Sequence, residues 1–181
     1  MVSWRIVHHE RVTSTMDVAA ALAAEGAAAG TVVVAEEQTE GRGREGRRWE
    51  APAGTSLLFT VVARPELAAV QDERLSVRVA ERVAEAITAV CGLRPQIKEP
   101  NDLMVNGRKL AGILLQSRVR GETVDYLLLG IGINVNIPRE QLPLPTATSL
   151  LVELGRPLDR SVLLAAVLKE LARETAWFPP A

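Results

Sequence analysis

Residues 102–119, DLMVNGRKLAGILLQSRV, decide how the chain is built. Two apolar runs flank Asn106-Gly107, the dipeptide favoured in a two-residue hairpin turn because both central positions take positive φ. Gly121 is a second turn signal. After it, TVDYLLLGIGINVNI (123–137) reads as a long buried strand stopped by Pro138. Before the first hairpin, LRPQIK (93–98) reads as one more strand. Consecutive hairpins of this kind exclude a uniform strand–helix–strand winding.

Working outward, WRIVHHE (4–10), TVVVAEEQ (31–38) and TSLLFTVVA (55–63) read as further strands. Between the first two, Ser14 and Asp17 in STMD form a helix-start signature, with the helix running to about Ala24. From Arg74 to Val90 the period becomes helical, with Leu75, Val79, Val83 and Ile87 recurring every four residues until Cys91-Gly92 stops them. Short helical signals appear near 147–154. Asp159 opens a last helix carrying Leu163, Leu164, Val167, Leu168 and Leu171. The pattern predicts an α+β fold, a mixed β-sheet flanked by helices.

The chain has 181 residues, 48% hydrophobic and 24% charged, a balance that suits one soluble domain with a real core. A net charge of −1 gives no global field for nucleic acid or anionic membrane, so neither is expected as a partner. No apolar stretch reaches the ~20 residues of a membrane helix. A single cysteine, Cys91, excludes an internal disulfide framework and a Cys-based zinc site, and fits a reducing cytoplasm. His8 and His9 are neighbours on a strand and point to opposite faces, so they form no metal pair.

EGRGREGRRW (40–49) is a local basic feature. Gly41, Gly43 and Gly46 spell G-x-G-x-x-G. A dinucleotide loop must open directly into a helix. Here RRWEAPAGTS follows, with Pro52 and Gly54, which is loop and then strand. The H-R-D and D-F-G partners of a kinase loop and the G-K-[ST] ending of a Walker loop are absent. Two readings stay open. One is a solvated basic hairpin loop. The other is an anion cradle of backbone N–H groups and arginine forks, with Trp49 as a stacking face.

A second dense stretch, IKEPNDLMVNGRKLAGILLQS (97–117), holds Lys98, Asn101, Asp102 and Lys109. Asn and Asp after Pro100 suit a turn. They also offer oxygen ligands to Mg²⁺, which takes one or two carboxylates beside substrate phosphates. Cradle, stacking ring, carboxylate and lysines together suggest an ATP-using site.

STMDVA, GRGREGRRW, K-x-PND, GRKLAGILLQ and GIGINVN occur in one order, and that series resembles the catalytic domain of biotin–protein ligases from about Val7 to the final helix. The resemblance implies a fold related to class II aminoacyl-tRNA synthetases and lipoyl ligases. It implies activation of biotin with ATP and Mg²⁺ to biotinyl-5′-adenylate, then transfer to a lysine of a biotin carrier domain of a biotin-dependent carboxylase. It assigns Arg44, Arg47 and Lys109 to the reacting carboxylate and α-phosphate, with Gly41 to Gly43 donating backbone N–H groups. Trp49, Gly43, Asn101 and Asn134 fall at the nucleotide and Asp102 at the metal. Ser14, Thr15, Gln38, Gly41 and Arg42 fall at biotin, with Gly112 leaving room for its bicyclic ring.

Glu99 departs from the pattern, which usually has tryptophan in K-W-P-N-D. A carboxylate there is expected to be ion-paired or turned to solvent. The expected organisation is one catalytic domain over 1–181, without the helix-turn-helix or small β-barrel that many relatives carry. Edge strands leave homodimerisation open. Alternative functions are a lipoate or octanoate ligase or transferase of the same fold, or a non-catalytic biotin- or nucleotide-binding module.

Overall fold

The computed structural model describes residues 2–178. Its strands are β1 (Arg5–Val12), β2 (Thr31–Gln38), β3 (Ser56–Ala63), β4 (Gln96–Lys98), β5 (Asp102–Val105), β6 (Arg108–Arg120) and β7 (Thr123–Asn134). Its helices are α1 (Thr15–Ala24), α2 (Leu67–Val70), α3 (Leu75–Cys91), α4 (Leu150–Leu154) and α5 (Arg160–Leu171). The strands form one seven-stranded sheet in the order β1-β2-β3-β7-β6-β5-β4. β1 and β2 pair in parallel, and α1 is the crossover that such a pair needs. Every other pairing is antiparallel. The sequence did not signal α2, a single turn with no buried residue.

β7 explains the unbroken apolar run of the sequence, because it is buried on both sides. Leu127, Leu129, Ile131 and Ile133 join the large core under α3 and α5. On the other face, Leu128 joins Met16, Ala19, Ala23, Val33 and Val62 beneath α1. α1 buries Thr15, Met16, Ala19 and Ala23 against the sheet. It covers only part of that face, and Gly130, Gly132 and Asn134 continue the same side of β7 beyond its N-terminus.

Local chemistry sets the helix ends. The Ser14 side chain accepts the Met16 N–H at 3.2 Å and starts α1. The Asp17 carboxylate takes the Thr13 hydroxyl and Arg42, so only the serine half of the expected capping box forms. Gly92, at φ 77°, ends α3 in the left-handed conformation that glycine adopts without strain. Arg64 closes the far end of α1. Its guanidinium donates to the carbonyls of Ala23 at 2.9 Å and Ala27 at 2.7 Å, and also to Asp125 O. It thereby satisfies a last-turn carbonyl and ties helix to sheet.

Arg64→Ala is expected to cost about 2–3 kcal/mol, because several backbone acceptors lose a charged donor; urea unfolding monitored by circular dichroism measures it. A lysine there should recover less than half of the loss. Asp159 caps α5. Hydrogen bonds from the Ser161 hydroxyl and then from its N–H hold the Asp159 carboxyl below its ordinary range. A depressed carboxyl contributes stability above its unfolded pKa and loses it as pH falls through the folded one. The stability gap between the parent and Asp159→Ala should therefore close in that acid window, and parallel urea titrations would show it.

Candidate active site

Beyond the N-terminus of α1, the uncovered part of the sheet forms the floor of a cleft of about 600 Å³. Its floor is main chain. Gly112 on β6 lies directly opposite Gly132 on β7. A Cβ on Gly132 would stand 2.7 Å from Trp49 Cε2, one on Gly112 2.9 Å from Trp49 Cζ3, and one on Gly130 2.6 Å from Met16 Sδ. The indole of Trp49 therefore lies on bare backbone, with Met16 beside it. Along this face of β7 the order is Met16 over Gly130, Trp49 over Gly132, and then Asn134. The indole divides the cleft into two ends.

At the α1 end, Gln38 finishes β2 and faces Thr15. Gln38 Oε1 accepts from Thr15 N at 2.8 Å and from Thr15 Oγ1 at 3.0 Å. Thr15 Oγ1 also lies 2.9 Å from Thr60 Oγ1. These bonds occupy the amide oxygen and leave the Gln38 NH₂ group to a ligand. Ser14 is 1% exposed and keeps its hydroxyl proton after capping α1. This end is small, polar and rigid.

At the other end, a β-bulge sets the chemistry. Opposite the Leu103–Met104 step, β6 carries one extra residue, since Leu103 pairs with Ala111 and Met104 with Lys109. Leu110 and Ala111 are both buried in the large core. The alternation shifts, and Lys109 emerges on the same side as Gly112. Its ammonium lies 2.7 Å from Asp102 Oδ1 and 5.6 Å from the Trp49 ring centroid. Asn101 is tied to β6, donating from Nδ2 to Ile113 O at 2.8 Å and accepting the Ile113 N–H at 2.9 Å. Its Oδ1 accepts from Arg44 at 3.4 Å, which joins the glycine–arginine loop to the second constellation. Asn134 is 3% exposed. Its Nδ2 donates to Thr148 O at 3.0 Å, while its Oδ1 has no hydrogen-bond partner.

Segment 41–49 crosses over the cleft, folded on itself. Trp49 N–H donates to Gly41 O at 2.9 Å and Gly43 N–H to Arg47 O at 2.7 Å. Glu45 (φ 57°) and Gly46 (φ 74°) make the left-handed turn between them. Arg42 pairs with Asp17, and the exposed Arg47 pairs with Glu45 at 3.3 Å. Arg42, Arg44, Arg47, Arg48, Lys98 and Lys109 line the cleft and outnumber its carboxylates. The arrangement can hold an anion beside a flat ring.

A family model described as the biotin/lipoate A/B protein ligase family matches residues 9–134. The chain belongs to this family. Among its ligases, the BirA ligase/repressor of Bacillus spizizenii is 34% identical over 166 residues, covering 90% of this chain and 51% of that protein. A biotin–[acetyl-CoA-carboxylase] ligase of Paracoccus denitrificans is 39% identical over 147 residues, covering 78% of this chain and 61% of that one. The chain thus spans about half to three-fifths of these relatives. Biotin protein ligase of Aquifex aeolicus, solved with biotin and ATP, superposes with a TM-score of 0.77 at 30% identity, covering 93% of this chain and 69% of that one. The mixed sheet with flanking helices is the fold of these biotin ligases.

Of the residues assigned from the sequence by resemblance to biotin ligases, all but Gly41 line the cleft. Gly41 lies behind Trp49, in a smaller depression, and its missing Cβ makes room for the Trp49 carbonyl rather than for a ligand. The Gly43 N–H, expected to face an anion, is bound to Arg47 O. The space over Gly112, expected to take a bicyclic ring, is taken by the indole. Glu99 is turned to solvent at the rim, one of its two expected placements. His8 pairs with Glu36 at 2.8 Å, and Cys91 donates to Ile87 O at a helix end, so both act structurally. Sequence reasoning missed Met16, Thr60, Thr148, Gly130 and Gly132.

Gly132→Ala should push Trp49 off the floor, since backbone cannot yield to a new methyl group. In a Trp4→Phe, Trp177→Phe background, the Trp49 emission is expected to shift to the red, as for an indole released into water, with little change in the unfolding midpoint.

Proposed function

We propose that the chain joins biotin to ATP as biotinyl-5′-AMP and transfers the biotinyl group to a lysine of a biotin carrier domain of a biotin-dependent carboxylase. One observation carries the reading: the polar Ser14–Thr15–Gln38 end and the Lys109–Asp102–Asn134 end share one cleft, divided by an indole on a glycine floor. An acyl substrate with a polar head and a nucleotide with a flat base fit the two ends. The family spans biotin and lipoate ligases, and the relatives named for biotin ligation support the choice of biotin over lipoate chemistry.

The first step sets a carboxylate against a phosphate, so their repulsion has to be screened. Ser14 and Thr15 hydroxyls and the Gln38 NH₂ orient the ureido ring. Lys109 leaves its pairing with Asp102 to lie between the biotin carboxylate and the α-phosphate. Arg44 and Arg47 supply fixed positive charge to the phosphates. A carboxylate oxygen bonds to the α-phosphorus, and the bond to pyrophosphate breaks. In the second step the neutral amine of the acceptor lysine attacks the acyl carbon. AMP departs with the bonding pair, and the amine proton passes to water.

Magnesium bound to ATP brings phosphate and water oxygens with it and needs few protein ligands. Among the described residues no cluster of three or more His, Cys, Asp and Glu side chains could cage an ion, which fits a metal that comes with the nucleotide. Asp102 and the unpartnered Asn134 Oδ1 would hold it, and it would neutralise phosphate charge there. Among the described residues β6 beyond Ile113 has no strand partner on the β5 side, so a strand of the carrier or of a second copy could add to that edge. Among the described residues no helix is long and apolar enough to cross a membrane, and the proposed compartment is the cytoplasm.

Incubation with biotin, MgATP and a carrier domain should raise the carrier mass by one biotinyl group; an unchanged carrier beside folded enzyme would refute the reading. Arg44→Ala and Lys109→Ala should each slow acyl-adenylate formation by about 10²–10³-fold, followed as pyrophosphate release.

A further inference from the structure

A buried polar knot lies behind the nucleotide end, outside every motif used so far. Thr148 is its centre, 0% exposed. Its N–H donates to Lys109 O at 2.8 Å, and Lys109 N–H donates to Thr146 O at 2.8 Å, so segment 146–148 runs beside Lys109 as a short parallel bridge. The Thr148 carbonyl accepts the Asn134 side-chain amide at 3.0 Å. One residue therefore fixes the backbone of Lys109 and the rotamer of Asn134, which come from different strands. Thr148 is itself fixed from below, where its hydroxyl donates to Glu153 Oε1 on α4. The Glu153 side chain is 6% exposed and also takes Arg108 at 2.9 Å and Asn106 at 2.8 Å, binding the β5–β6 turn to α4. Ser149 locks the same segment by donating to Ile137 O at 2.6 Å and capping α4.

Packing alone does not call for this arrangement. A carboxylate this deeply buried is costly unless fully bonded, and apolar side chains would fill the same space more cheaply. Through the main chain of Thr148, the arrangement reaches the Lys109 backbone and the Asn134 side chain, the two groups that the proposed function sets beside the phosphates. We propose that Thr148 and Glu153 are positioning residues for the adenylation step, holding Lys109 and the free Asn134 Oδ1 in register across β6 and β7. The inference rests on the function proposed above. Neither residue reaches the Ser14–Thr15–Gln38 end, so the hold on the biotin head group there is expected to be independent of the knot.

The test compares the parent chain with Thr148→Val, Thr148→Ser, Glu153→Gln and the double variant Thr148→Val/Glu153→Gln. Pyrophosphate release gives kcat and KM, and calorimetry gives biotin and ATP affinity. Only variants whose circular dichroism and urea unfolding show a folded protein are scored. Thr148→Val should lower kcat for adenylation by about ten- to hundredfold, the loss expected when a reacting group is misplaced by a fraction of an ångström to an ångström. It should weaken ATP, and it should leave the KM for biotin within about twofold of the parent's, since the knot does not touch that end. Thr148→Ser, which keeps the hydroxyl, should restore most of the rate. The double variant should be no slower than the worse single one, as expected for residues acting through one bond. A parental kcat in Thr148→Val, a serine variant as poor as valine, or losses of kcat and biotin affinity in step across the variants would overturn the proposal. If Thr148→Val does not fold, Glu153→Gln alone decides by the same split between kcat and KM. A parent that binds biotin and ATP yet forms no acyl-adenylate would overturn the functional reading, while ATP affinity in the variants would still test the positioning.

Discussion

The site depends on one surplus residue in β6. Without the bulge, strict alternation would send Lys109 into the core beside Ala111 and bring Leu110 out over the cleft. With it, Leu110 and Ala111 both enter the core and Lys109 stands beside Gly112, within reach of Asp102 and the indole. The cost of a lost ladder position is offset by burying a leucine side chain, roughly 1.5–3 kcal/mol by area. Core packing and active-site geometry thus select the same register, and neither can slip without the other.

The two faces of the sheet divide the work. Under α3 and α5, close-packed aliphatic side chains supply the stability. On the opposite face α1 covers part of the sheet, and the remainder stays open as the cleft. The charged groups stay at the rim or in pairs, as Arg42 with Asp17, Lys109 with Asp102 and Arg47 with Glu45. These pairs hold the cations in partial neutrality until a stronger anion competes for them. The loop over the cleft is likewise closed by its own hydrogen bonds, so its backbone donors must be released before they can serve a ligand.

Much of this was legible in the sequence because the signals are local. Asn106-Gly107 marked a real turn, Ser14 and Asp159 marked real caps, and the fourfold spacing from Leu75 to Ile87 marked α3. All the motif residues assigned to the site except Gly41 line one cleft. What escaped was set by register. The parity of Gly130, Gly132 and Asn134 can be read along β7, but the pairing of Gly132 with Gly112 depends on a separate register shift between Arg118 and Val119 in the β6–β7 ladder, which leaves no local signature. The close approach of Trp49 to Gly112, and of the Trp49 carbonyl to Gly41, likewise depends on contacts between segments distant in sequence. Thr148 was invisible because its importance comes from bonds to Lys109 and Asn134, which are distant in sequence.

A cleft whose base is peptide backbone can evolve in one direction only. Every substitution at Gly112, Gly130 or Gly132 adds atoms, so drift can shrink the cavity but never deepen it. New substrates must then be won at the walls, from residues such as Met16, Glu99 and Leu144, whose side chains can be exchanged without disturbing the strands that hold the reacting groups.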